Sequence, residues 1–70
     1  MTGNEFLKRL TKYAKRQGLE WRFVPIKGKG SHGALFLGNR RTTLKDRKKE
    51  IGPGLLNSML DDLGIDRRKF

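Results

Sequence analysis

The chain has 70 residues, with 17 Lys or Arg against 7 Asp or Glu and a formal net charge of +10 at pH 7. That length gives one domain with a marginal core; the absence of Cys excludes a disulfide framework or thiolate zinc site, and a lone His excludes a structural zinc set. A charge this large on so small a body draws it to polyanions, nucleic acid ahead of an acidic protein or an anionic membrane surface.

Thr2-Gly3-Asn4-Glu5 has the form of a capping box, the Thr2 hydroxyl accepting from the Glu5 N–H while the Glu5 side chain reaches back. Phe6, Leu7, Leu10, Tyr13 and Ala14 follow at helical spacing, and Gly18 is a natural stop after Gln17. Lys8, Arg9, Lys12, Lys15 and Arg16 fall mostly off that stripe, either as a solvated face or as a nucleic-acid contact. Charge alternates with hydrophobe from Thr2 to Gln17, so no signal-peptide apolar region is present. Apolar runs elsewhere fall far short of the ~20 residues of a membrane span. A soluble, cytoplasmic protein with no membrane partner is expected.

From Leu19 to Val24 the pattern becomes strand-like, and Pro25 ends the ladder or confines it to an edge. The glycine-rich basic turn Lys27-Gly28-Lys29-Gly30-Ser31-His32-Gly33 leads into a second strand, Ser31 to Leu37. His32, Ala34 and Phe36 share one face of it, and Ser31, Gly33, Leu35 and Leu37 share the other. Both faces carry apolar residues, so periodicity does not say which covers the core. Gly38-Asn39 is a hairpin signal leading into a third strand, Arg40 to Leu44.

Lys45 to Glu50 reads as a polar, charged connection. Gly52-Pro53 opens a second helix striped by Leu55, Leu56, Met59, Leu60 and Leu63, with Gly64 as its stop and Ile65 as the hydrophobic contact beyond it. Asp61 and Asp62 lie near the negative end of that helix, where Arg67 and Arg68 are placed to offset them. The expected architecture is α+β, in the order α-β-β-β-α, with two helices on one face of a three-stranded antiparallel sheet and a single domain over residues 1–70.

The turn holds the chain's one imidazole, the side chain whose unperturbed pKa falls nearest neutral pH, among lysines suited to a phosphate. Glycines there let the backbone approach another surface closely. A nucleotide-binding phosphate loop is excluded, because Gly-x-x-x-x-Gly-Lys-Ser/Thr is absent and a strand follows rather than a helix. The second helix offers Asn57, Ser58 and two aspartates, the wrong equipment for a DNA recognition helix. An α-β-β-β-α body suits modules that grip RNA by shape, phosphate and 2′-hydroxyl. Trp21 and Phe23 are either base-stacking residues or buried anchors, and Tyr13 is a packing residue of the first helix.

In the order of its elements, in the turn from Lys27 to Gly33, and in Glu50-Ile51-Gly52-Pro53-Gly54-Leu55-Leu56 followed by Met59-Leu60 and Leu63-Gly64-Ile65, the chain resembles the HicA family of toxins. These are small proteins, similar to double-stranded-RNA-binding domains, of type II toxin–antitoxin modules. The resemblance implies a ribosome-independent endoribonuclease that cuts messenger RNA without metal or other cofactor, arrests translation and growth, and is neutralised by a HicB-type antitoxin. The family's active histidine falls on His32. Many members carry another histidine near the loop after the third strand; this chain has Thr42-Thr43-Leu44-Lys45-Asp46 there, so no role passes to it. His32 is the expected catalytic residue, and Lys27, Lys29, Gly30, Ser31, Arg40 and Arg41 the expected RNA- and phosphate-binding residues. A non-catalytic RNA-binding module and a protein whose basic surface serves only an acidic partner remain as the other two readings.

Overall fold

The computed structural model describes residues 1–28 and 32–70. Its elements run α1 (Gly3–Gln17), β1 (Trp21–Pro25), β2 (Gly33–Leu37), β3 (Arg40–Leu44) and α2 (Pro53–Leu63), the expected α-β-β-β-α order. The capping box forms: Thr2 Oγ1 accepts from the Glu5 N–H at 3.2 Å, and Glu5 Oε1 accepts from the Thr2 N–H at 3.0 Å. The bond from the Thr2 backbone holds the Glu5 carboxyl below its ordinary range. A depressed carboxylate pKa gives stability that is present at neutral pH and lost as pH falls through that depressed value.

The strands form one antiparallel sheet in the order β1-β2-β3. Gly33, Leu35 and Leu37 are buried, as are Thr42 and Leu44 on β3, while Trp21 and Phe23 on β1 are half-buried against the same core. Phe6, Leu10, Tyr13 and Ala14 of α1, Met59, Leu60 and Leu63 of α2, and Ile51 and Ile65 that flank α2 complete the cluster. Helix packing thus decides what alternation left open, and the other face of β2, with Ala34 and Phe36, stays free of helices.

Two boundaries differ from expectation. β1 begins at Trp21 rather than Leu19, because the Leu19 N–H is already used in closing α1, bonding Ala14 O at 2.9 Å beside Gly18 at φ 66°. The same strand runs one residue further, with Pro25 opposite Gly33 on an edge strand, where a missing donor is tolerated. The expected start of β2 at Ser31 lies outside the described residues.

The connection from Lys45 to Glu50 does more than link. Its backbone carbonyls take the orphan N–H groups that open α1, Asn4 to Arg47 at 2.8 Å and Gly3 to Lys49 at 3.2 Å, while the Ile51 N–H donates to Met1 O at 2.7 Å. Gly3 is buried at this crossing, and a Cβ there would stand 2.6 Å from Arg47 Cα and 2.7 Å from Asp46 O. Alanine in a helix is favoured over glycine by about 1 kcal/mol, but overpacking against rigid backbone costs about 1–3 kcal/mol. Gly3→Ala is therefore expected to lower the urea midpoint; a midpoint at or above wild type would show that the crossing yields.

At the far end, Gly64 (φ 67°) ends α2 and Ile65 is buried, as expected of a hydrophobic contact past the stop. Arg67 reaches Asp61 at 3.1 Å, but Arg68 pairs with Asp66 and not with the helix aspartates, and Asp62 instead accepts from Thr42 Oγ1 at 2.9 Å. Phe70 returns to α1, its ring 4.9 Å from that of Phe6.

Candidate functional site

The site is built on the strand-facing rule. His32 directly precedes β2 and, by alternation, falls on the register of Ala34 and Phe36, opposite the buried set Gly33, Leu35 and Leu37. It is half-buried, and its carbonyl accepts from the Ile26 N–H at 3.0 Å, which extends the β1–β2 ladder by one rung and fixes the backbone. Gly28, at φ 78°, supplies the left-handed residue that turns the chain between the strands.

Around His32 the helix-free face is mixed in character. Val24 and Ile26 are exposed on the β1 side, and Arg41 and Thr43 are exposed on β3. Ile26, Ala34, Arg41, Thr42, Thr43 and Asp62 of α2 line one shallow recess. Lys27 is exposed in the turn. Lys29, Gly30 and Ser31 lie outside the described residues.

Arg40 and Arg41, adjacent in sequence, go to opposite sides of the sheet. The Arg40 side chain lies over the α2 stop, where a Cβ on Gly64 would come within 2.8 Å of Arg40 Nε. A guanidinium there complements the negative end of a helix, which gives Arg40 a structural task. Arg41 stands on the helix-free face, opposite Phe36 in register. The structure therefore brings Arg41 onto the face of His32 and takes Arg40 to the helix side.

Two residues on this face escape a reading of the sequence. Phe36 is half-buried with no helix over it, and the Arg22 guanidinium carbon lies 5.2 Å from its ring centroid. Only the choice of core face reveals them, and alternation could not make that choice. Trp21 and Phe23, by contrast, turn toward the core. The Phe23 ring occupies the space that a Cβ on Gly33 would need, with the Arg47 guanidinium carbon 5.2 Å from its centroid.

Among the described residues, no group of three or more His, Cys, Asp or Glu side chains is placed to hold a metal ion. No described helix is long and apolar enough to cross a membrane.

No curated protein and no solved structure gives a significant match to the chain. The family model of the HicA toxin of bacterial toxin–antitoxin systems matches residues 8–65, from within α1, through all three strands and His32, to the residue that follows the α2 stop. The chain belongs to the HicA family and is the toxin of a toxin–antitoxin module.

Proposed function

We propose that this toxin is a metal-independent, ribosome-independent endoribonuclease that cuts messenger RNA and thereby arrests translation and growth. The observation that carries the reading is the position of His32: the only imidazole in a strongly basic chain lies on the register of the helix-free face, in a turn that also holds the exposed Lys27, with Arg41 on the same face farther along the sheet.

Cleavage without metal requires removal of the 2′-hydroxyl proton, attack of that oxygen on the adjacent phosphorus, and departure of the 5′ oxygen with a proton. The products are a 2′,3′-cyclic phosphate and a 5′-hydroxyl, so no oxidant or second substrate enters. His32 carries one of the two proton transfers, worth about 10²–10⁴ in rate. Lys27 and Lys29 counter the charge that builds on the phosphorane, Ser31 orients the turn backbone or a water, and Arg41 binds a phosphate farther along the strand. With a single histidine, the other transfer falls to water or lysine, and a slow enzyme results.

The partner is a HicB-type antitoxin with an acidic surface that covers the region of His32 and Lys29. Opposite fields speed such an association and make it salt-sensitive. The decisive experiment incubates purified toxin with single-stranded RNA in excess chelator. Fragments ending in cyclic phosphate are expected. RNA that is bound with steep salt dependence but stays whole would mark a non-catalytic RNA-binding module, and no RNA affinity at low salt would leave only the protein partner.

A further inference from the structure

We infer that Phe36, flanked by Arg22 and Arg41, is a stacking platform for an unpaired base of the RNA, at a distance from the cut. The inference rests on the RNA reading above and adds to it a substrate class, single-stranded rather than duplex RNA.

The three residues form one cross-strand row, Arg22 opposite Phe36 and Phe36 opposite Arg41. Phe36 is the aromatic that the fold leaves on the helix-free face, since Phe23 turns inward, Trp21 is half-buried against the core with only part of it at the recess beside Phe36, and Phe6, Tyr13 and Phe70 pack together at α1. Arg22 and Arg41 are both exposed, and among the described residues neither has an ion-pair partner. A half-covered aromatic between two arginines free of ion pairs is a poor use of a surface in water. It is the combination by which single-stranded nucleic acid is held, a π-face for the base and cations for the flanking phosphates, with the Arg22 guanidinium that rests 5.2 Å over the ring giving way to the base and moving to a phosphate.

A recess lined by Glu20, Trp21, Arg22, Phe36 and Gly38 opens beside the ring. Glu20 at its rim disfavours phosphate, so the base faces the recess and the backbone follows Arg22 and Arg41. A base inside a duplex cannot present its face to a side chain, whereas a single strand can.

Distance separates this platform from the chemistry. Phe36 lies four residues along the strand from His32, about 13 Å at the rise of a β-strand. At a stacked spacing of about 3.4 Å per nucleotide, a base on Phe36 belongs to a nucleotide that flanks the cut, not to the reacting ribose. The row therefore sets affinity and the position of the strand, and leaves the chemical step alone.

The test uses His32→Ala protein, so that RNA survives the measurement, with and without Phe36→Leu, titrated with one RNA sequence as a single strand and as a duplex. Phe36→Leu is expected to weaken single-strand binding about ten- to a hundredfold and duplex binding little, with the melting temperature held. Trp21, the chain's one tryptophan, lines the recess, so its emission should change as single-stranded RNA saturates the Phe36-containing protein. That measurement decides the matter if Phe36→Leu fails to fold. Equal single-strand affinity in a folded Phe36→Leu protein overturns the inference, as does unchanged Trp21 emission at saturation. So does a variant that loses only its affinity for the antitoxin, since the row would then be a protein interface. Cleavage by wild-type protein is scored separately: intact cutting with no Phe36 effect removes the platform and leaves the nuclease, and the reverse pattern removes the nuclease and leaves the platform.

Discussion

His32→Ala is expected to leave RNA bound but uncut, with a rate loss of about 10²–10⁴, and to abolish growth arrest on expression. The chain contains no second imidazole to take over the proton transfer, and the usual substitutes at neutral pH, a carboxylate or a lysine of shifted pKa, would each need a neighbour that tunes them. The substitution spares the main-chain bond from Ile26 to the His32 carbonyl, so the β1–β2 turn keeps its anchor. His32→Gln sharpens the result, since an amide keeps much of the shape and hydrogen bonding of imidazole but transfers no proton. The two variants should therefore fail alike in cutting, at comparable RNA affinity and melting temperature. Cleavage retained in His32→Gln would show that the ring is a structural residue and would remove it from the mechanism.

Legibility in this chain followed the range of the interaction. The capping box at Thr2 and Glu5, the left-handed stops at Gly18 and Gly64, and the Gly38-Asn39 turn are each decided within a few residues, so local chemistry locates them. The faces of β2 are not, because Ala34 and Phe36 are as apolar as Leu35 and Leu37. What separates the two sets is tertiary: Gly33 leaves room for the Phe23 ring, and both helices lie on the side of Leu35 and Leu37. The same limit hid the row of Arg22, Phe36 and Arg41, whose members come from three strands, and the divergence of Arg40 from Arg41. It also hid the work of residues 45–50, whose carbonyls close the start of a helix more than forty positions earlier. His32 stood out for a different reason, as a unique side chain within a motif resembling a known family.

Phe6→Ala is expected to unfold the protein or bring it close to its midpoint at 37 °C. Phe6 is fully buried and packs against Phe70, and truncation of a buried Phe costs about 3–5 kcal/mol. At about 0.05–0.15 kcal/mol per residue, a chain of this length holds only about 3.5–10 kcal/mol in total, and a net charge of +10 pulls toward the lower end through self-repulsion. Thermal melting followed by circular dichroism should fall by about 12–40 °C; a drop of only a few degrees would show that α1 is not integral to the core. An antitoxin that binds only the folded chain should restore much of the loss, because binding adds its own free energy to the native state. Phe6→Ala and His32→Ala then silence the toxin by separable routes. The first loses RNA binding, cutting and growth arrest together and regains structure with the partner, whereas the second keeps structure and RNA binding throughout and never cuts.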